Sequence, residues 1–364
     1  MSDAAQALKA GSVPARTAAI GWSRISDGLF GTRANTAITL ATAALLVWIA
    51  PPFLRWALID ATLTGASADC LAGAGACWAF VGNKLRFILF GFYPPDLQWR
   101  PALVVLLLLG LVSASAWPGL WRRELLWAWP AVIVACILLM TGMVGGAPVR
   151  SNQWGGLPIT LLVWTVCFGI ATPLAILLAL ARRSTMGGLR TLAIGYIEVM
   201  RATPMVAILY IAMLILPMAL PAGLVLDKMY RAAIMITLFW AAYIAEVVRG
   251  GLQTVPPGQY EAATALGVGY WRSMQLVVLP QALRVVIPGM VNLAIGFLLA
   301  TSLLAVIGVF DLLNAAKAAA TDPQWLGFYD ESYLFVAAIY FALCLTGSRY
   351  SRWLEKRLNR SARS

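Results

Sequence analysis

The sequence predicts an all-α integral membrane protein, and three observations support this fold class. Of the 364 residues, 61% are hydrophobic and only 12% are charged, and the mean hydropathy is +0.81. About a quarter of the residues of a soluble domain are charged, so half that fraction indicates a surface that faces lipid. The apolar residues also occur in runs of about 20, the length that a helix needs to cross the hydrocarbon of a bilayer.

These runs predict about eight transmembrane helices, of which the second and the eighth are short. The predicted spans are Thr36–Leu54, Pro101–Ala116, Leu125–Met143, Leu157–Ala181, Pro204–Leu220, Ala232–Val248, Val286–Phe310 and Tyr333–Gly347. The stretch from about 60 to 100 is the longest loop. The residues before the first span are basic but lack the apolar core of a secretory signal, so they are predicted to form a tail.

The net charge of +12 is attributed to membrane topology rather than to nucleic-acid binding. The basic clusters that the spans place on one side are Arg122–Arg123, Arg182–Arg183 and, after the last span, Arg349, Arg352, Lys356, Arg357, Arg360 and Arg363. The loop between the last two spans is net acidic, as expected for the opposite side. This positive-inside pattern predicts that both termini are cytoplasmic.

The residue types argue against catalysis and metal binding. Because the chain has no histidine, it lacks the most common general base and the most common metal ligand, and neither a catalytic nor a metal site is predicted. Cys70 and Cys77 lie in a polar, Gly- and Ala-rich part of the long loop. If that loop is periplasmic, a disulfide can form there, and the sequence leaves both the bonded and the free form open.

One polar segment, 249–284, interrupts the apolar second half of the chain. Pro256–Gly258 forces a turn, and Glu261 is predicted to lie in the first turn of a short helix, where its charge suits the positive end of the helix dipole. The small residues that keep this helix slim are Ala262, Ala263, Ala265 and Gly267. A slim helix can enter a groove on a soluble partner; the alternative is an ordinary loop with incidental alanines.

Two pairs of charged residues lie within or next to the spans. Glu198 and Arg201, like Glu246 and Arg249, are three residues apart and can share one helix face. Ionisable groups near a span are costly and often functional, so each pair is a candidate for contact with substrate or a gate. The alternative is structural, with each pair neutralising itself and holding a helix end at the interface.

The segment 249–284 resembles the loop signature of ABC importer permeases, which is E-A-A, three residues, G, nine residues and I-x-L-P. The matching residues are Glu261, Ala262, Ala263, Gly267 and Val277-Val278-Leu279-Pro280, with only Val in place of Ile. The resemblance implies that this loop is the coupling helix, which seats in an ATP-hydrolysing subunit. It would then transmit nucleotide-driven closure to the spans through Glu261, Ala262, Ala263, Gly267, Leu279 and Pro280.

Two further stretches resemble permeases for polar amino acids. Tyr196–Pro204 is similar to their Y-I-E-x-x-R-x-T-P, and Ala242–Gly251 to the A-Y-x-A-E-x-x-R-G-G that precedes their coupling loop. The resemblance covers about Trp154–Arg352. The residues before it, with three extra spans, resemble the extended form in permeases of general L-amino-acid and glutamate/aspartate systems.

Polar residues of the matched stretches complete the candidates for the substrate path or gate. Thr203 belongs to the first motif, while Asn292, Thr301 and Ser302 in the seventh span either line a pathway or bond back to their own helix. Many relatives have a Lys-Asp pair immediately before the last two of these, where this chain has Leu299–Ala300. This departure favours a second, non-identical permease chain, or a less polar substrate.

The resemblance implies a five-helix type I ABC importer permease core at 151–352, with the coupling loop at 249–284. The predicted flanking parts are a cytoplasmic tail at 1–34, extra spans at 35–150 with a periplasmic loop at about 60–100, and a basic cytoplasmic tail at 353–364. No G-x-x-x-x-G-K-[ST] motif is present, so no cofactor is predicted in this chain, and ATP and Mg²⁺ would bind a dimer of partner ATPase subunits.

The resemblance also implies that the chain is a non-catalytic subunit of a bacterial inner-membrane importer for amino acids. A second permease and a periplasmic amino-acid-binding protein would complete the transporter. The alternative is a self-sufficient secondary transporter or channel for small polar solutes, which would predict inverted repeats and matched Gly/Pro-broken spans. A membrane-embedded enzyme would need a nucleophile and a base or a metal set. Neither alternative has sequence support.

Overall fold

The computed structural model describes residues 22–143, 146–221 and 224–361, and within them the chain is almost entirely α-helical. This confirms the predicted all-α class. The helices are α1 Trp22–Phe30, α2 Arg33–Leu54, α3 Ser67–Ala72, α4 Trp78–Phe90, α5 Trp99–Ala116, α6 Arg123–Thr141, α7 Gly156–Arg182, α8 Gly187–Ala202, α9 Met205–Tyr210, α10 Leu216–Ala219, α11 Lys228–Thr254, α12 Pro257–Ala265, α13 Tyr270–Ser273, α14 Leu279–Ala300, α15 Leu312–Ala319 and α16 Tyr329–Ser361.

Short helical segments of other types extend or connect these helices. Three of them are π-helical turns. Arg55–Ile59 extends α2, Ile211–Ile215 joins α9 to α10, and Met274–Val278 joins α13 to α14. The 3-10 segments are Pro95–Leu97, Pro118–Leu120, Ser151–Gln153, Thr301–Ile307 and Pro323–Trp325. The strand β1, Phe310–Asp311, forms parallel bridges with Gly155 and Gly156.

Seven helical segments in the described residues are long and apolar enough to cross a membrane. They are Arg33–Ile59, Pro95–Ala116, Arg123–Thr141, Gly156–Arg182, Lys228–Thr254, Tyr270–Ile307 and Tyr329–Arg357. The last span is longer than predicted, because α16 continues past Gly347 to Ser361. The predicted start of the basic tail at 353 therefore falls inside a helix, and residues 362–364 lie outside the described part.

The predicted fifth span, Pro204–Leu220, is incomplete. The segment Met205–Ala219 has the length and hydropathy of a span only together with α8, from which it is bent by 105°. Thr203 lies between the two parts in an extended conformation with ψ 132°, as the residue before a proline prefers. The described residues therefore contain seven spans, or eight if the bent pair counts as one.

Residues 1–77 form one compact unit, described from residue 22 onward. Helix α1 packs back on the start of α2, where Thr39 Oγ1 donates to the Leu29 carbonyl at 2.8 Å. Of the predicted tail at 1–34, residues 1–21 lie outside the described part, and most of the remainder is the helix α1. No residue of α2 is buried, which leaves its apolar surface free to face lipid.

A disulfide closes the loop that follows α2 in this unit. Cys70 on α3 is bonded to Cys77, and their Cα atoms are 5.4 Å apart. The structure therefore has the bonded form of the two that the sequence leaves open. Gly75 lies so close to the backbone of Asp60 that a Cβ atom would overlap its carbonyl group, so the loop requires glycine at this position.

Helices α7 and α11 form the centre of the second unit, residues 78–364. Small, fully buried residues on these two helices include Ala171, Ala175, Ala179, Ala241, Ala242 and Ala245. Such residues let helices approach closely in a membrane. Helix α14 also packs closely on α11, since a Cβ atom at Gly251 would lie 2.8 Å from the Ala282 carbonyl oxygen. These three helices position the segments described below.

A buried carboxylate lies near the first residues of α7. Asp311 is fully buried and caps α15 by accepting hydrogen bonds from the backbone N–H groups of Leu313 at 3.1 Å and Asn314 at 3.0 Å. Thr160 Oγ1 accepts from the N–H of Leu312 at 3.0 Å. Burial raises the pKa of the Asp311 carboxyl to about 7, although its backbone hydrogen bonds act in the opposite direction. This carboxyl therefore titrates near neutral pH.

Candidate functional site

Helix α12 occupies the middle of the polar segment 249–284. It begins at Pro257, a favourable first position for proline because the missing N–H has no helical acceptor there. Glu261 consequently lies in the second turn, and the prediction that it lies in the first turn is wrong. The dipole effect falls off within the first turn, so dipole stabilisation does not explain this glutamate.

Gly267 terminates α12 instead of forming part of it, which corrects the predicted role of Gly267 in keeping the helix slim. Its φ of +72° is in the left-handed region that glycine favours. The N–H of Gly267 donates to the Thr264 carbonyl at 2.9 Å, and that of Val268 to the Ala263 carbonyl at 3.0 Å. These two bonds form a Schellman motif, which satisfies the last carbonyl groups of the helix.

Most of the surface of α12 is exposed. Ala263 is its buried residue, whereas Glu261, Ala262 and Ala265 are exposed. An apolar patch continues beyond the helix, where Leu266 is 81% exposed. The other large exposed apolar side chains of this segment are Tyr270, Trp271 and Leu276. Exposed apolar groups next to a slim helix are typical of a protein contact surface.

Polar contacts tie α12 to the ends of the spans. Arg183, which follows α7, donates from Nη1 to the Leu252 carbonyl at 3.0 Å and to the Tyr260 hydroxyl at 3.1 Å. Its guanidinium also lies 5.7 Å from the centroid of the Tyr260 ring. Gln281 Nε2 on α14 donates to Gln259 Oε1 at 3.1 Å. Helix α12 is therefore connected to α7, α11 and α14.

Leu279 and Pro280, the last predicted coupling residues, begin α14. Leu279 is half-buried and Pro280 is exposed. They lie immediately before Gln281, whose side chain makes the contact with α12. Sequence reasoning missed Gln281 and Tyr260, because a glutamine or a tyrosine in a loop has no distinctive pattern until its partner is known.

Five charged side chains form a charge cluster where α7, α8 and α11 end. They are Arg182, Glu198, Arg201, Glu246 and Arg249. Glu246 is the centre, with its side chain 15% exposed. It accepts from Arg182 at 2.7 Å, from Arg249 at 3.0 Å, and lies 3.7 Å from Arg201. Arg182 also contacts Glu198 at 3.0 Å.

This arrangement corrects the prediction that each pair neutralises itself. The pair of Glu246 and Arg249 forms as expected on one helix. Glu198 instead contacts Arg182, and Arg201 is directed to Glu246. The reason is that α8 ends beside α7 and α11, so that interhelical partners compete with the neighbour three residues away. Sequence reasoning treated Arg182 only as a topology determinant and missed its bridging role.

The polar path candidates mostly satisfy their own helices. Thr203, Thr301 and Ser302 each donate to a carbonyl three or four residues earlier, at 2.7, 2.7 and 2.8 Å. Thr301 is fully buried and lies 3.4 Å from the Tyr340 hydroxyl, so it does not line an open path in this conformation. Asn292 is exposed on α14.

The exposed groups of α14 and the acidic and sulfur side chains show which ligands this part of the chain can contact. Leu299 is 48% exposed, on the same helix as Asn292, so α14 presents both an amide and an aliphatic group outside the chain. In the described residues no group of three or more His, Cys, Asp and Glu side chains is placed to hold a metal ion. The candidate site therefore consists of the exposed surface of α12 and the charge cluster at the ends of α7, α8 and α11.

Residues 171–360 match the family described as "Binding-protein-dependent transport system inner membrane component". The match includes the second half of α7, the charge cluster, α12 and most of α16. Helix α12 and its contacts with the spans therefore lie within the part of the chain that matches the family.

Two curated proteins are similar over nearly the whole chain. The inner membrane amino-acid ABC transporter permease protein YhdY of Escherichia coli (strain K12) is 42% identical over 343 residues, which is 92% of each chain. The glutamate/glutamine/aspartate/asparagine transport system permease protein BztC of Rhodobacter capsulatus is 34% identical over 413 residues, and the match covers 95% of each chain.

One solved structure, described as an amino acid ABC transporter with histidines, matches part of the fold. It is 31% identical with a TM-score of 0.50, and the match covers 56% of this chain and 92% of the solved chain.

Proposed function

This chain belongs to the family of binding-protein-dependent transport system inner membrane components, and we propose that it is the permease subunit of an ATP-driven amino-acid importer. The observation that carries the proposal is α12, a slim exposed helix that is connected to three spans and is followed by an exposed apolar patch. The substrate class follows from the two similar permeases, whose names assign them to amino acids.

The contacts of α12 support a mechanical role. Closure of an ATPase dimer would displace α12, and Arg183 and Gln281 would carry that displacement to α7, α11 and α14. A few polar contacts allow α12 to move with its partner, whereas the buried small residues keep α7 and α11 together as a rigid pair. Coupling therefore requires an exposed α12 and intact connections behind it.

The charge cluster would keep the ends of the spans moving together. Glu246 joins α11 to α7 through Arg182 and to α8 through Arg201, so a displacement of α11 would reach the other two helices without a loss of ion pairs. We assign the cluster a positioning role, because its groups are occupied by one another. Asn292 on α14 stays a candidate for the substrate path, and we add Leu299, which is exposed on the same helix.

The membrane orientation is proposed from the charge pattern. Both termini, the charge cluster and α12 would be cytoplasmic, and the loop at about 60–100 and the segment around Asp311 would be periplasmic. The Cys70–Cys77 disulfide supports this assignment, because disulfides persist in the oxidising periplasm and are rare in the cytosol.

The proposal implies partner proteins that perform the remaining tasks of the importer. ATPase subunits would supply ATP and Mg²⁺ chemistry, because the chain has no phosphate-binding G-x-x-x-x-G-K-[ST] motif. A second permease would complete the path, and Leu299–Ala300 in place of a charged pair favours a non-identical one. A periplasmic amino-acid-binding protein would deliver the substrate.

Co-purification tests this assembly directly. The tagged chain would be extracted from its native membrane in mild detergent, and the proteins retained with it identified by mass spectrometry. We expect an ABC-type ATPase and a second permease, and ATP-dependent amino-acid uptake after reconstitution in liposomes. Recovery of the chain alone, with solute transport that does not need ATP, would favour the secondary transporter instead.

A further inference from the structure

A cavity of about 560 Å³ lies between the end of α5 and the last turns of α16. Its walls include Trp117 and Gly119 beside α5, and Tyr350, Trp353 and Arg357 on α16. We call it the Trp353 cavity. Its volume is in the range of cavities that bind small organic ligands, and it is separate from α12 and from the charge cluster.

The side chains of α16 present a stacked aromatic wall with a cation at one end. The rings of Tyr350 and Trp353 are 5.7 Å apart with an interplanar angle of 28°. The Arg357 guanidinium lies 5.4 Å from the centroid of the Trp353 ring. The three residues are spaced three and four apart, which places them on one face of the helix. In the described residues no carboxylate lies within ion-pair distance of Arg357.

The cavity lies where two spans end. Helix α5 ends at Ala116, and the apolar run of α16 gives way to Arg349 and Arg352 beside the residues that line the cavity. Tryptophan and tyrosine are enriched at this depth of a membrane, because one edge of the ring is apolar and the other is polar. Exposed basic residues also lie close in the sequence to those that line the cavity. They are Arg122, Arg123, Arg349, Arg352 and Lys356.

We propose that the Trp353 cavity binds an anionic phospholipid. Arg357 would hold the phosphate of the headgroup, and the aromatic wall would contact the glycerol and the upper acyl chains. Basic pockets between transmembrane helices are suited to anionic headgroups, and the open aromatic wall distinguishes this cavity from a site for a small soluble anion. The inference goes beyond the transport role and does not depend on it.

Native mass spectrometry of the purified, full-length transporter tests the proposal. The protein would be titrated with phosphatidylglycerol and with phosphatidylcholine of the same acyl chains. We expect phosphatidylglycerol to be retained at lower concentration, and Arg357→Gln to weaken its retention by about fivefold, the factor that one basic residue contributes near an anionic surface. Trp117→Ala, which leaves α16 unchanged, should weaken retention of the same lipid.

Lys356→Gln is the matched control, because it removes the same charge from the neighbouring, exposed position. It should weaken retention much less than Arg357→Gln does, because Lys356 does not line the cavity. Equal losses in Arg357→Gln and Lys356→Gln would overturn the cavity in favour of general surface charge. Equal retention of both lipids by the unmodified transporter would overturn the preference for an anionic headgroup. Displacement of the lipid by inorganic phosphate at low concentration would instead indicate a site for a free anion.

Discussion

Helices α12 and α15 are two short, alanine-rich connections between spans, and their surroundings differ. In α12 the buried residue is Ala263. Helix α15 buries Leu312, Ala315, Ala316 and Ala319 and is capped by a fully buried aspartate. The same small residue therefore serves two purposes, since alanine lets α15 pack inside the chain and lets α12 be approached from outside.

The difference in burial between α12 and α15 indicates which of the two helices a partner protein could displace. A helix that is held by a few polar contacts can shift without opening the core, whereas a buried helix can shift only with its neighbours. The proposed cytoplasmic connection is thus suited to transmit a displacement, and the proposed periplasmic one to resist it. Four experiments can break or sharpen this comparison, beginning with the one of largest expected effect.

Glu261→Lys should abolish amino-acid uptake and leave the amount of protein in the membrane unchanged. The side chain is exposed, so its reversal costs the fold little but places the wrong charge on the proposed contact surface. Uptake of radiolabelled amino acid and an immunoblot of membranes would measure both quantities. Glu124→Lys, an exposed reversal at the start of α6 on the same proposed side, should transport normally. Normal uptake by Glu261→Lys would refute the coupling role of α12.

Glu246→Gln should destabilise the protein by about 3 kcal/mol, because three arginines lose their common partner at a largely buried position. Thermal unfolding in detergent should show a lower Tm, and uptake should fall in the membrane. Glu198→Gln changes the other carboxylate of the cluster, whose side chain is 54% exposed, and should have a much smaller effect. Equal Tm values for the two variants would show that Glu246 is not the centre of the cluster.

Ala316→Val and Ala262→Val make the same change in the two helices. Ala316 is fully buried, so added methyl groups must displace the neighbouring side chains, and we expect a loss of about 2 kcal/mol from overpacking and less protein in the membrane. At the exposed Ala262, Tm should stay the same while ATP-driven uptake falls. If both variants lowered Tm equally, the contrast between α12 and α15 would be wrong.

Asp311→Asn should flatten the pH dependence of stability. The ordinary pKa of the carboxyl is 3.8, and burial raises it to about 7 in the folded chain. The folded state therefore binds this proton more tightly, so the contribution of Asp311 is fully present below pH 3.8 and is lost as the pH rises to about 7.

That contribution can change by at most about 1.4 kcal/mol per pH unit. Asparagine keeps the helix cap but does not titrate. Tm measured across this window should fall less steeply in the variant than in the unmodified protein. Parallel curves would mean that Asp311 stays charged throughout.

Much of the fold could be predicted because its signals are local. The apolar runs indicated the spans, and the proline and glycine positions indicated where the polar segment 249–284 turns. The prediction of the fifth span left out α8. That helix carries Glu198 and Arg201, so its apolar residues do not form an unbroken run. Glu261 was placed one turn too early, because sequence alone did not show that Pro257 starts the helix.

By itself, then, the sequence determined the membrane class and the approximate bounds of most spans, and it singled out the polar segment 249–284, because hydropathy, charge bias and motif spacing depend on neighbours in the chain. Only the tertiary structure decided that Arg182 binds both Glu198 and Glu246, that Thr301 is buried and that α12 is exposed while α15 is not. These properties depend on which helix ends converge. Arg182 and Glu246 are 64 residues apart in the chain but 2.7 Å apart in the structure, and no local pattern specifies that distance.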